Sequence, residues 1–365
     1  MNNNRIKYIA LLCLFLAGFP FPASAGGHSE AAGTEEKVDI ASMIMDHLMD
    51  SYEWHIATAG ETHVSIPLPV IVYSETGGLN VFMSSKFHHG HEAYNGFYIA
   101  AGGDYKGKIV EKNVAGEEVR PWDFSITKNT LSLIFSCIIL VITVLSVAGW
   151  YRKNNKDGQH KAPKGFVGFV EMFIMSVVDD VIKPCIGRNY RKFTPYLLTA
   201  FFFIFINNLM GLIPVFPGGA NVTGNIAITF VLAIFTLFAV NLFGTKEYWK
   251  EIFNPHTPGW LKPLMIPIEM LGMFTKPFAL MIRLFANILA GHSVILGLMS
   301  LIFVTATLGT VLFSSMSFVS VLMTMFMNVL ELLVAYIQAY VFTMMSAVFI
   351  GLAQVEPHHS SAEKH

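Results

Sequence analysis

From about residue 130 onward the chain alternates between long apolar runs and short clusters of polar or basic residues. Residues 131–150 hold no charge, and about 20 apolar residues are what a helix needs to cross a bilayer core. Arg152, Lys153, Lys156, Lys161 and Lys164 follow, which places that loop in the cytoplasm by the positive-inside rule. Residues 165–183 have apolar positions at helical spacing but also Glu171, Asp179 and Asp180. That pattern predicts an amphipathic helix on the cytoplasmic surface. After the basic cluster Arg188 to Lys192, a span is predicted over 194–215, an uncharged external connection over 216–221, and a returning span over 225–243. Lys246, Lys250 and Lys262 mark the cytoplasm again, and two longer apolar stretches, 264–312 and 318–354, complete the pattern. The fold class is therefore an all-α polytopic membrane protein of about five membrane helices, with the polar tail 356–365 in the cytoplasm.

The first third differs in kind. Arg5 and Lys7, the apolar stretch Tyr8 to Leu16, and Ala23-Ser24-Ala25 read as a signal peptide over 1–25. Its apolar core is too short to span, and Leu12 before Cys13 argues against a lipoprotein signal. Residues 26–125 read as a small β-rich domain outside the membrane. A helix is expected around 40–52 and strands at 62–68, 70–74 and 79–83. Gly77-Gly78 signals a hairpin between the last two, and Gly102-Gly103-Asp104 a further turn. The cluster His88-His89-x-His91 invites a metal, but no acidic or cysteine partner stands at ligand spacing, so it reads as a solvated loop and no metal is assigned. The membrane domain then covers 126–355.

Composition agrees with this division. Hydrophobic residues make up 53% of the 365, and charged residues only 13%, against roughly 25% in soluble domains. The net charge of −1 says nothing about partners, because the charges are confined to loops and a few positions inside apolar segments. Nucleic-acid binding has no support, since there is no basic stripe of the kind it needs. Cys13, Cys137 and Cys185 lie in separate segments and read as apolar fillers. No Walker-type phosphate loop occurs, so nucleotide chemistry and cofactors are not expected of this chain.

The candidate chemistry sits in the last two apolar stretches, which contain Glu269, Lys276, Arg283, His292 and Glu331. A charge in the bilayer centre costs about 2.5–3.5 kcal/mol on insertion scales, and such residues mark ion paths by default. The structural alternative is a set of salt bridges that fix helix packing. At about 100° per residue, Arg283, Asn287, Ala290 and Val294 fall within about 60° of one another. Ala286, Ala290 and Gly291 on or beside that stripe are small, which lets another helix approach closely. His292 falls roughly 180° from Arg283 on the same rule. On the following helix Glu331, Ala335, Gln338 and Phe342 share a face, and Glu331 is the natural partner for His292. Arginine stays protonated at physiological pH and acts as a fixed cation. Histidine and glutamate can relay protons. Lys276 precedes Pro277 and is placed to snorkel to the surface.

Several of these residues lie in motifs. Lys276-Pro277-x5-Arg283-Leu284-Phe285-Ala286-Asn287-x3-Gly291 resembles the signature of subunit a of F-type ATP synthases. Asn207-Asn208-Leu209-Met210-Gly211-Leu212-Ile213-Pro214, Tyr190 to Tyr196, and Leu332 to Phe342 with Gln338 resemble further segments of that family, and the likeness covers about 122–355. It implies that Arg283 faces a ring of c subunits, with Asn287 and Gln338 as polar neighbours. It implies a role for Glu269 toward the cytoplasmic half-channel, and for His292 and Glu331 in the half-channel open to the outside. In some bacterial members the pair has glutamate first; here the order is reversed, as in mitochondrial members, and one acid and one imidazole remain. The resemblance also implies two long, strongly tilted final helices, peripheral-stalk b subunits and the rest of the complex as partners, and a bacterial inner membrane as location. The pair suits protons and is compatible with sodium. Residues 26–125 depart from the short N-terminal segment usual in the family. A secondary transporter would show internal repeats and interrupted helices in matching halves, and the sequence shows neither.

Overall fold

The computed structural model describes residues 50–354, apart from 60–61, 75–76, 91, 104, 114–115, 155–161, 214–215, 217, 256 and 307–309. The expected signal peptide, nearly all of the expected helix at 40–52, His91 and the 356–365 tail lie outside the described residues.

Among the described residues, eight short strands occupy the first part. β1 (Glu53–Ala59) and β2 (Thr62–Pro67) pair antiparallel. β3 (Pro69–Ser74) and β4 (Gly78–Met83) form a hairpin, and β8 (Trp122–Asp123) adds to the other edge of β3. β5 (Phe97–Ile99), β6 (Ile109–Lys112) and β7 (Glu118–Val119) make a third sheet in that order. The β3–β4 turn needs a left-handed residue, and Gly78 supplies it at φ +67°. Alternation drives the inward residues Val70 and Val72 against Tyr52, Phe87, Phe97 and Ile109, with Phe82 packed on that cluster. The Tyr52 hydroxyl donates to the Asp123 carboxylate and accepts from the Ile109 N–H. Burial, and then the bond to Asp123, hold this phenol well above the usual tyrosine pKa. His88 lies in the 3-10 turn Ser84–Gly90 and pairs with Glu92 at 3.6 Å. Among the described residues no group of three or more His, Cys, Asp or Glu could hold a metal ion.

The rest is helical. α1 spans Lys128–Asn154. α2 (Phe166–Ser176) passes into a π-helical stretch, Val177–Ile182, and then α3 (Lys183–Ile186). Gly187 at φ +71° breaks the axis before α4 (Tyr190–Leu212). α5 (Ile226–Leu242) is bent by 99° from α6 (Lys246–Phe253). α7 (Lys262–Ala306) and α8 (Thr310–Ala353) are the two long helices, of 45 and 44 residues. Among the described residues four stretches are long and apolar enough to cross a membrane, or five if the bent α5–α6 pair is counted as one span. At 1.5 Å per residue α7 is about 68 Å long, more than twice the roughly 30 Å of a hydrocarbon core. A helix of that length meets a bilayer inclined or protrudes from it.

The acidic residues near α2 have local partners. Glu171 accepts from the Tyr151 hydroxyl, Asp179 pairs with Lys183, and Asp180 accepts from Ser176. Meanwhile Val170, Val177, Val181, Ile182 and Ile186 are buried in the same core as α4.

The chain divides into two compact units, Met1–Lys128 with Ile295–Val329, and Asn129–Val294 with Leu330–His365. Both long helices contribute to each unit. In the second unit, Leu197, Phe201 and Ile204 of α4 join Leu280, Leu284 and Ile288 of α7 and Ala339, Phe342 and Ile350 of α8 in one core. α1 turns its apolar residues outward (Ile138, Val141, Ile142, Leu145) and buries Asn129, Ser132 and Ser136. That inversion suits a helix whose surroundings are lipid. Gly351 makes room where α8 meets the Cys185 carbonyl, a place that a Cβ would fill.

Candidate functional site

α7 has two unlike faces within the second unit. Leu280, Leu284 and Ile288 are buried, one turn apart. Arg283, Ala286, Asn287, Ala290 and Val294 are exposed. No hydrogen bond or ion pair reaches Arg283 among the described residues. A permanent cation thus stands on an open stripe of small and polar side chains, in a helix apolar enough to span a bilayer.

His292 and Glu331 lie inward. His292 Nδ1 stands 3.3 Å from Glu331 Oε1, with the two side chains 17% and 5% exposed. Neither Glu331 oxygen accepts an aligned hydrogen bond from the described residues, so the contact has ion-pair distance without hydrogen-bond direction. A buried carboxyl group with unused lone pairs beside an imidazole is arranged for exchange of a proton. The opposite ring edge faces α4: a Cβ on Gly211 would lie 3.4 Å from His292 Nε2. Glu331 shares its buried face of α8 with Ala335, Gln338 and Phe342. Gly291 faces Glu331, since a Cβ there would lie 3.1 Å from Oε1. Its missing side chain therefore makes room for a group of this chain, whereas Ala286 and Ala290 lie on the open stripe.

Glu269 is half-buried and within electrostatic reach of Tyr248. Along α7 it precedes Arg283 by about 21 Å, and His292 follows Arg283 by about 14 Å. The structure does not bring Glu269, Arg283 and His292 together; it spaces them along one helix. Lys276 is exposed, with its Nζ 5.9 Å from the centroid of the Phe349 ring.

An ATP synthase A chain family model matches residues 132–351. This chain belongs to that family. ATP synthase subunit a of Chloroherpeton thalassium is 41% identical over 253 residues, covering 68% of this chain and 72% of that protein. Subunit a of Chlorobium phaeobacteroides (strain DSM 266) is 38% identical over 322 residues, covering 84% and 88%. Subunit a of Myxococcus xanthus is 38% identical over 250 residues, covering 67% and 77%. As a subunit a family member with several helices of spanning length, the chain is a multi-pass membrane protein. A second model, for a domain of unknown function (DUF8433), matches residues 43–124. The Chlorobium alignment is too long for the helical segment alone, so that relative shares part of the strand region as well.

At Ala335, one turn along α8 from Glu331, and on the neighbouring part of α4 the fold gathers polar residues that sequence reasoning did not assign to the site. Asn208 Nδ2 donates to the Ala335 carbonyl at 3.2 Å, and Thr223 Oγ1 donates to Asn208 Oδ1 at 2.6 Å. Ser136 Oγ donates to Asn207 Oδ1 at 2.9 Å. The connection after α4, expected to be an external loop, tucks Ala220, Asn221, Val222 and Thr223 inward. Two consecutive asparagines inside an apolar run were the available signal, since polar side chains in a span seek partners across helices.

Proposed function

We propose that this chain provides two proton half-channels beside a ring of c subunits, and that it couples proton flow across the membrane to rotation and ATP synthesis. The observation that carries this reading is the contrast on α7 between an open cationic stripe and an inward imidazole–carboxyl pair. A proton enters from the outer side through the polar residues at His292 and Glu331. It neutralises a carboxylate on a passing c subunit, which then turns into lipid. After nearly a full rotation the proton leaves through the second half-channel near Glu269. Arg283 keeps the incoming c-subunit carboxylate ionised and blocks direct passage between the two paths, with Asn287 and Gln338 as its polar neighbours. Each charge that crosses yields about 2.3 kcal/mol per 100 mV. ATP chemistry belongs to other subunits, and peripheral-stalk b subunits hold this chain against the torque. In the same reading the protein sits in a bacterial inner membrane with residues 26–125 outside, after loss of a signal peptide, and with its C-terminus in the cytoplasm.

Disulfide cross-linking in the assembled complex tests the proposed ring contact. Cysteines at Ala286 and Ala290, each paired with a cysteine on the outer helix of subunit c, are expected to form a–c products, and one at buried Ile288 is not. Cross-linking from Ile288 alone, or from none of the three, would overturn the reading.

A further inference from the structure

The β4–β3–β8 sheet is apolar on both faces. Its inner face is the core already described. Its outer face carries Leu79, Val81 and Met83 on β4, Tyr73 and Ile71 on β3, and Trp122 on β8, followed by Phe124. The register sets them in rows. Leu79 lies opposite Tyr73, which lies opposite Trp122; Val81 lies opposite Ile71, whose carbonyl accepts from the Phe124 N–H. Met83 closes the patch opposite Pro69. Ile71 is half-buried, and the other six are exposed, from 44% at Met83 to 67% at Trp122. None of these residues is charged; the nearby Asp123 points inward to Tyr52. An antiparallel sheet with one solvated face ordinarily alternates apolar-in with polar-out. A large contiguous apolar patch on an exposed face marks a surface that meets something other than water.

The chain itself indicates what covers it. Phe124 stands four residues before Lys128, the first residue of α1, so it lies within about 14 Å of that residue even with the link fully extended. α1 has 27 residues, about 40 Å of helix, some 10 Å more than a hydrocarbon core. Its first turn therefore stands at headgroup depth, and the sheet is tethered to that layer by four residues. The patch has the composition of such a layer: Trp122 and Tyr73 are amphipathic aromatics, which favour the membrane–water interface. Leu79, Val81, Met83 and Phe124 supply apolar area to bury at the acyl boundary. We propose that the outer face of this sheet rests on the lipid bilayer surface, as an interfacial anchor for the strand region. The anchor depends on the chain being a membrane protein and is independent of the proton path.

The test uses the full chain in the assembled complex, reconstituted in liposomes, with the native cysteines replaced. Single nitroxide labels go at Leu79→Cys, Val81→Cys and Trp122→Cys, with exposed Glu117→Cys as the aqueous reference. Power-saturation EPR compares collisions with oxygen, which concentrates in lipid, and with a water-soluble nickel chelate. Oxygen is expected to dominate at 79, 81 and 122, and nickel at 117. Nickel dominating at all four sites would overturn the proposal. So would protection from both reagents at 79, 81 and 122, because a second copy, another segment of this chain or another subunit would then cover the face.

Discussion

Replacing Gly291 by alanine perturbs one atom beside Glu331 and little else. The new Cβ would stand 3.1 Å from Oε1, 3.4 Å from Cδ and 3.6 Å from Cγ of that residue. The first distance is a few tenths of an ångström inside ordinary contact, so the carboxyl group must move by about that much. The 3.3 Å separation from His292 Nδ1 then changes by the same order. The fold itself should not suffer, because alanine is favoured over glycine inside a helix by about 1 kcal/mol. A misplacement of about 1 Å at a reacting group can cost 10²-fold, so a shift of about a third of that should cost several-fold in proton flux. The assay is ATP-driven acidification of vesicles holding the purified complex, with Gly297→Ala as control, since a Cβ at Gly297 meets nothing within 4 Å. Assembly should be intact in both variants, with acidification slowed only in Gly291→Ala. Equal, wild-type rates would refute the idea that the position of the Glu331 carboxyl group controls flux.

Glu331→Gln and His292→Ala should each reduce proton flux strongly, and exchanging the two residues should harm less than either loss; independent, additive effects would argue against a coupled pair. Thr223→Val leaves Asn208 Oδ1 without its buried donor, and should cost about 1–3 kcal/mol, read as a lower thermal midpoint of the detergent-solubilised complex. The raised pKa of Tyr52 stabilises the strand region fully below the ordinary tyrosine value of about 10, and that contribution is lost as pH rises further. Alkaline titration followed by backbone hydrogen exchange should therefore show opening of β6 and β8 above about pH 10 in the parent. Tyr52→Phe should weaken the region at neutral pH and flatten that dependence.

Much of the membrane fold is legible as hydropathy. The 131–150 run lies inside α1, which extends a few residues into its polar ends because a helix continues past the hydrocarbon boundary. Asn225, expected to open a span, is the N-cap of α5, its side chain accepting from the Ala227 N–H. The contact of His292 with Glu331 follows from helical periodicity and complementary chemistry on two adjacent apolar runs. Other features depend on contacts distant in sequence. Nothing near His292 announces that Gly211 lies against its other edge. Nothing in the uncharged connection after α4 announces that Asn221 and Thr223 turn inward, because an uncharged loop reads the same whether solvated or buried. By size and spacing Gly291 belongs with the small residues of the Arg283 stripe, but 80° of helical rotation carries it to Glu331. The strands at 70–74 and 79–83 were visible as apolar runs. Which of their apolar residues point outward depends on the register, which fixes the face that packs on the core.

In the proposed function Arg283 is the fixed charge between two proton paths. The direct measurement is ATP-driven proton pumping by the reconstituted complex carrying Arg283→Ala, with subunit content checked so that only intact complexes are compared. Pumping should be abolished, and passive proton leakage through the membrane sector should rise once the barrier charge is gone. Pumping at the wild-type rate from an intact complex would contradict the account.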